Sequence, residues 1–176
     1  MLKAYFELQI RRIFRAPNYV SAFGFFHGIR LLLQVEKILL HMSTELRQFL
    51  VPEYDHPIFL RDTMSDHSIF WQCIVTKQYD IDSFPQSREI GKAYSHILAN
   101  GKTPAIIDAG GNVGLAAVWF AQAFPESTII SVEPNQGNFE ILKANTNEFG
   151  GRVRPILGGV SNEHTKMRII NEGAGS

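Results

Sequence analysis

Apolar residues recur at helical spacing through the first fifty residues. One side of the predicted helix carries Ala22, Phe26, Ile29, Leu33 and Leu40. We expect helix over residues 1–50 with a break at Pro17-Asn18, because proline lacks the N–H that continues a helix. Residues 1–50 therefore form a predicted helical extension, and residues 51–176 form the predicted main domain.

The extension is basic, with seven Lys/Arg against three Asp/Glu. A basic amphipathic helix can lie on an acidic membrane surface. We favour instead an arm packed on its own domain or on a twin subunit, because amphipathic helices of soluble proteins usually face a core.

The middle of the chain predicts short elements. Val51–Leu60 contains two prolines and indicates an edge strand or a connector. Ser65 or Asp66 is expected to cap a short helix, and Ser87 to cap a second helix that ends at Asn100-Gly101.

Strand and helix patterns alternate in the last third. Apolar, β-branched runs predict strands at Ala105–Ile107, Ser127–Val132 and Val153–Leu157, and a further strand at Met167–Ile170. Helices are predicted at Leu115–Phe124 and from a cap at Asn135 through Phe149. This alternation indicates an α/β domain with a parallel sheet, in which Ala105–Ile107 suits burial on both faces.

A glycine loop joins the first of these strands to its helix. Asp108 ends the strand, Gly110, Gly111 and Gly114 follow, and Glu133 ends the next strand, 133 − 110 = 23 residues after Gly110. An acidic residue about 20 residues after such a loop can bind ribose hydroxyls. The alternative is that both carboxylates are ordinary strand-end caps and the glycines ordinary turns.

The spacing of the loop discriminates between ligands. The dinucleotide pattern G-x-G-x-x-G would place Asn112 at its second glycine, and no G-K-[ST] phosphate loop is present. The pattern [DE]-x-G-x-x-x-G fits Asp108, Gly110 and Gly114, and looks like motif I of methyltransferases that use S-adenosylmethionine. A strand-end carboxylate suits the ammonium of that cofactor, and loop N–H groups suit its carboxylate.

The chain resembles the FkbM-type methyltransferases in two places. One is Ile106-Ile-Asp-Ala-Gly-Gly-Asn-Val-Gly114 with Ile130-Ser-Val-Glu-Pro-Asn135 and Phe139-x-x-Leu142-x-x-Asn145. The other is Leu60-Arg-Asp-Thr-Met-Ser-Asp66, followed by Phe70, Gln72 and Tyr79.

The resemblance implies a Rossmann-like class I methyltransferase fold that transfers the methyl of S-adenosylmethionine to a hydroxyl of a small-molecule or glycan acceptor. It places Asp108, Gly110, Asn112 and Gly114 at the methionine end of the cofactor. It also places Glu133 on the ribose and Asn135 near the adenosine, with Ser65 and Asp66 closing over the site. A nicotinamide-dependent enzyme and a non-catalytic remnant that binds a partner are the alternatives.

The family has an acidic motif on a fourth strand, and no such motif follows Val160. We therefore expect a domain truncated after about three strands, with an exposed first strand that promotes self-association.

Composition bears on the partners, the compartment and the metal content expected of the protein. Zero formal net charge favours no nucleic-acid partner. Cys73 is the single cysteine and reads as a core residue, and no signal peptide is evident, so we expect a cytoplasmic protein. No Cys/His spacing predicts zinc, and no metal is assigned. Four histidines qualify as a general base by residue type alone, so no catalytic residue is assigned: His56, His67, His96 and His164.

Overall fold

The computed structural model of the chain describes residues 2–36 and 43–163, with side chains from Ile10 and from Glu45 onward in these ranges. The chain divides into two compact units, a first unit up to Thr76 and a second unit from Lys77 onward. Within the described ranges, no helix combines the length and apolarity needed to cross a bilayer.

Helix α1, Leu2–Val35, consists of two helical pieces that meet at Gly24. Gly24 has φ 75° and ψ 167°, a conformation that is open essentially to glycine alone. A Cβ on Gly28 would collide with the carbonyl oxygen of Tyr19, whereas a straight helix would hold these residues about 13 Å apart. The second piece therefore turns back along the first. The predicted break at Pro17-Asn18 is wrong, because the helix continues through Pro17 and the turn needs the positive φ of a glycine.

A buried carboxylate ties the two pieces of α1 together. Arg15 Nη1 donates to Glu36 Oε1 at 2.6 Å, and the Tyr19 hydroxyl donates to the same oxygen at 3.4 Å. Arg11 Nε lies 3.1 Å from Glu36 Oε2, an ion pair without hydrogen-bond alignment. Glu36 is almost fully buried, so removal of either arginine would leave a poorly compensated charge.

The predicted apolar stripe of the second piece of α1 is not its buried side. Phe26 is 85% exposed and Leu33 50% exposed. The buried positions of α1 are instead Tyr19, Phe23, Leu31, Leu32 and Val35. Of the two expected alternatives, packing of that stripe on its own domain is therefore wrong for Phe26 and Leu33, and packing on a twin subunit stays a prediction. Leu40 lies outside the described residues.

Residues Ser43–Phe49 form strand β1, which pairs antiparallel with strand β2, Ile58–Asp62. The helix predicted through residue 50 is wrong here, because pairing with a neighbouring strand overrides a local helical pattern. The segment Val51–Leu60, predicted as an edge strand or a connector, is a connector as far as Pro57 and enters β2 at Ile58, where Ile58 and Leu60 are buried.

Short helices complete the first unit and begin the second. Helix α2, Met64–Phe70, continues into a π-helical turn, Trp71–Val75, which buries Cys73 as predicted for a core residue. Helix α3, Gln86–Ala99, begins after Pro85 rather than at a Ser87 cap, and ends at Asn100 and Gly101 as predicted.

The second unit contains a three-stranded parallel sheet of order β3-β4-β5. Its elements follow one another as β3, Ala105–Ala109; α4, Leu115–Ala123; β4, Thr128–Glu133; α5, Gln136–Thr146, with a 3-10 turn at Asn147–Phe149; and β5, Val153–Leu157. The predicted α/β class and parallel sheet are confirmed. The strand predicted at Met167–Ile170 lies outside the described residues.

One face of this sheet is packed and the other is open. Ile129 and Val153 are buried against Ala117 and Ala121 of α4, with Ile106 packed beside them. Alternation along a strand turns Ile107 to the opposite face, where it is 70% exposed. The expectation that Ala105–Ile107 is buried on both faces is therefore wrong. Within the described residues, β3 pairs on one side only, with β4.

Arg152 fastens the end of α4 to the start of β5. Its Nη2 donates to the carbonyl of Ala121 at 2.8 Å, and its Nη1 lies 3.3 Å from the carbonyl oxygen of Phe124. A cation at the carboxyl end of a helix satisfies terminal carbonyls and favours the helix dipole.

Candidate functional site

Asp108 occupies the carboxyl end of β3 on the packed face of the sheet. The parallel register places it beside Ser131 of β4, whose hydroxyl donates to Asp108 Oδ2 at 2.7 Å. Burial raises the pKa of Asp108, and the nearby Glu133 raises it too, while the hydrogen bond from Ser131 opposes them. The negative charge of Asp108 is therefore only partly compensated, by one hydrogen bond from a neutral hydroxyl.

The loop after Asp108 lies flat against β4. The N–H groups of Gly110 and Gly111 both donate to the carbonyl of Val132, each at 2.9 Å. A Cβ on Gly111 would collide with Ser131 Oγ, and a Cβ on Gly114 would lie 3.1 Å from the Leu142 Cα. Gly114 also has φ 85°, so glycine is required there by conformation as well as by space.

Glu133 joins the loop to the start of α5. Its Oε2 accepts from the Asn112 N–H and its Oε1 from the Asn135 N–H, both at 2.8 Å. Glu133 is only 6% exposed. A carboxylate has about four acceptor sites, so each oxygen keeps capacity for one further donor.

Two asparagines shape the edges of this arrangement. Asn135 caps α5 as predicted, accepting from the Asn138 N–H at 3.0 Å. Asn112, with φ 49°, holds a buried Oδ1 that has no hydrogen-bond partner among the described residues. A buried acceptor of this kind is costly unless a donor reaches it.

The loop N–H groups are less available than expected. Those of Gly110, Gly111 and Asn112 are already bonded to Val132 and Glu133. These three N–H groups are therefore not free to donate to the carboxylate of the cofactor, as was expected of them. The first N–H groups of α4 remain the donors that an anionic group could use, because the first turn of a helix leaves its N–H groups without intrahelical partners.

The second unit brings together six of the predicted site residues, at the ends of β3 and β4 and in the loops that follow them: Asp108, Gly110, Asn112, Gly114, Glu133 and Asn135. Ser65 and Asp66 belong to the first unit, in the first turn of α2. Ser65 is exposed, and neither residue is the helix cap; Thr63 is, accepting from the Asp66 N–H at 3.1 Å.

Asp66 is fully buried and has its acceptors occupied within the first unit. It accepts from the Arg61 backbone N–H at 2.9 Å, from Arg61 Nη2 at 2.7 Å and from the Thr63 hydroxyl at 3.0 Å. These hydrogen bonds account for the burial of Asp66 by contacts within the first unit alone.

Of the four candidate histidines, His67 belongs to the first unit and His96 to helix α3, and among the described residues neither forms an ion pair with a carboxylate. His67 is buried, burial lowers its pKa, and its Nε2 has no partner among the described residues. His96 lies beside Asn100 at the exposed end of α3, and His164 is outside the described residues. Within the described ranges, no group of three or more His, Cys, Asp or Glu side chains is arranged to hold a metal ion.

Sequence reasoning missed three residues. Ser131 becomes visible only when the strands are placed in register, since its partner Asp108 lies 23 residues earlier. Thr63 left a clearer signal in the sequence, because Thr63-x-x-Asp66 has the spacing of a capping box. Arg61, two residues before Thr63, gave no such signal.

Comparison of the chain with models of known protein families gives no match. A comparison with curated proteins likewise finds no significant match.

Proposed function

We propose that the chain belongs to an S-adenosylmethionine-dependent methyltransferase that acts on a hydroxyl, of a sugar or a secondary metabolite. The observation that carries this proposal is the pair of buried carboxylates, Asp108 and Glu133, at the ends of adjacent parallel strands beside a glycine loop. In an open parallel sheet, ligands bind at the carboxyl ends of the strands.

The donors of the cofactor match the acceptors of this site. The ribose hydroxyls would donate to the remaining acceptor sites of Glu133, whose other sites hold Asn112 and Asn135. The ammonium would pair with the partly compensated carboxylate of Asp108 or donate to the unpartnered Oδ1 of Asn112 in the same loop. The finer assignment of the fold as Rossmann-like and methyltransferase-type rests on the same features.

The bound cofactor supplies a methyl group already activated on a sulfonium. The residues of the chain then have mainly to bind and orient, since alignment is the chief demand of an in-line transfer. The hydrogen bonds that Glu133 accepts from Asn112 in the loop and from Asn135 at the start of α5 hold the carboxylate proposed to bind ribose in place before any ligand arrives.

A second candidate is a binding module that adds a partner strand to the edge of β3 that has no strand neighbour among the described residues. The observation in its favour is that Ile107, on this strand, is 70% exposed. A nicotinamide-dependent enzyme has less support, because Asn112 stands where the dinucleotide pattern requires glycine.

Calorimetric titration of the purified chain with S-adenosylhomocysteine, and separately with NAD, distinguishes the three. The proposal requires binding of S-adenosylhomocysteine and none of NAD. Binding of NAD alone would contradict it, and binding of neither would favour the module that recruits a partner strand.

A further inference from the structure

The first unit carries an open groove of about 790 Å³, with a basic and apolar lining. Both pieces of α1 and strand β1 contribute to it. Three arginines and three apolar residues provide most of the lining: Arg12, Arg30, Arg47, Phe26, Ile29 and Leu33. Among the described residues that line the groove, none is acidic.

The arginines of the groove have few partners of opposite charge. Arg47 Nη1 pairs with Asp62 Oδ1 at 3.1 Å. Among the described residues, neither Arg12 nor Arg30 has an ion pair, and the buried Nε of Arg12 donates to nothing. A guanidinium presents a rigid fork of donors that matches phosphate and carboxylate oxygens. The groove is therefore suited to an anionic group.

Two exposed phenylalanines, whose ring centroids lie 5.6 Å apart, stand at the same groove. Phe26 is 85% exposed, and its neighbour Phe25 is 65% exposed. Single exposed apolar residues are ordinary, but aromatic residues clustered with arginines are typical of surfaces that lie in a membrane interface.

We propose that this face of the first unit docks on an anionic lipid bilayer. Headgroup phosphates or carboxylates enter the groove beside Arg12 and Arg30, while Phe25 and Phe26 enter the boundary of the acyl chains. The formal net charge of the chain is zero, so the attraction is local to this face rather than general. A second copy of the chain is a poorer occupant, because a symmetric contact would bring two sets of arginines together.

Sedimentation of the full chain with phosphatidylcholine vesicles, with and without phosphatidylserine, tests the proposal. We expect binding only to vesicles that contain phosphatidylserine, and weaker binding in added salt. Arg12→Gln and Arg30→Gln should each weaken binding roughly fivefold. Phe26→Ser should weaken it roughly tenfold, because an exposed ring loses its apolar burial in the interface.

Matched controls separate a local surface from a general loss of charge or apolarity. Arg88→Gln and Phe84→Ser alter exposed positions of the second unit and should leave binding unchanged. Arg12→Lys keeps the charge but not the guanidinium fork, so its affinity should lie between those of the wild type and Arg12→Gln. An unchanged thermal midpoint in both variants shows that neither has a folding defect.

Several outcomes would overturn the proposal. They are equal binding to both vesicle types, no binding to either, or control variants as damaging as the groove variants. Light scattering identifies the competing occupant: a dimer that Phe26→Ser dissociates, with vesicle binding unchanged, would assign the face to a second copy.

Discussion

Four carboxylates are buried among the described residues, and each has a different set of partners: Glu36, Asp66, Asp108 and Glu133. Arginines face Glu36 and Asp66, and two backbone N–H groups bond Glu133. Asp108 receives a hydroxyl, a neutral donor. A buried charge that is weakly compensated is costly, so Asp108 is the carboxylate for which a ligand cation is most needed.

Asp108→Asn should raise the thermal midpoint at neutral pH by about 2–4 °C. The raised pKa of Asp108 means that its contribution to stability is full below the unfolded-state pKa, about 3.9, and is lost as pH rises through the folded-state pKa. At neutral pH the burial of this carboxyl group therefore costs stability, while the uncharged asparagine still accepts from Ser131. Thermal denaturation at neutral pH and at about pH 3 measures this, and the difference should vanish at the lower pH, which lies below the unfolded-state pKa. A variant that is less stable at both would refute it.

Glu133→Ala should weaken the binding of S-adenosylhomocysteine by about ten- to a hundredfold, through the loss of charge-assisted hydrogen bonds worth ~1.5–3 kcal/mol. Asp66→Ala is the matched control, because its carboxylate is held by Arg61 and Thr63 within the first unit. It should lower the free energy of unfolding by about 3–5 kcal/mol, as loss of one partner of a buried pair does, with little change in affinity. Calorimetry and denaturant unfolding of both variants provide the two readouts. Unaltered affinity in Glu133→Ala would remove that residue from the site.

At the scale of elements, glycines and caps decide where the chain turns. Gly24 reverses α1 because its φ of 75° is open to glycine, while Pro17 is accommodated inside the helix. Thr63 begins α2, with Asp66 bonded back to it. From β3 to β5, the alternation of apolar runs, the helix cap and the glycines all indicated the same boundaries, so the elements could be predicted from the sequence.

The first unit was harder to predict for a physical reason. Strand β1 is stabilised by its pairing with β2, a contact that helical spacing in residues 1–50 does not reveal. The reversal at Gly24 also changes which side of α1 is buried, so that Phe26 and Leu33 face solvent. The strand-end residues of the site were predictable because parallel strands end at one edge; the hydrogen bond between Ser131 and Asp108 required the register.

Gly111→Ala should lower the free energy of unfolding by about 1–3 kcal/mol, the usual cost of overpacking. The added Cβ would meet Ser131 Oγ and Leu142 Cδ1, and so displace the partner of Asp108. Gly91→Ala is the control, since nothing lies within 4 Å of its Cβ in helix α3. That change should stabilise by up to ~1 kcal/mol, because alanine is the better helix former. Denaturant unfolding compares the two, and a harmless Gly111→Ala would contradict the close packing of the loop.

At the scale of the whole molecule, the sheet of the second unit has an open face and an open edge in the described residues. Ile107 and Ile156 are 70% and 47% exposed on that face, and β3 has a single strand neighbour there. An unpaired strand with an apolar face is a template for association with another chain.

We therefore expect the 176-residue chain, purified alone, to self-associate with rising concentration. Ile107→Lys should reduce this association, because an edge lysine opposes strand addition. Ile90→Lys, at an exposed position of α3, should not. Light scattering over a concentration series is the measurement. A wild-type chain that stays monomeric, with a sharp thermal transition, would contradict the expectation.

The central claim is that the glycine loop and Glu133 bind S-adenosylmethionine, and amide NMR tests it most directly. An isotope-labelled chain is titrated with S-adenosylhomocysteine while the signals of the loop are followed. We predict saturable shifts at Gly110, Asn112 and Gly114, with Gly91 and Gly101 of the same unit unchanged. Unchanged loop signals at saturating ligand, or shifts confined to the first unit, would contradict the account.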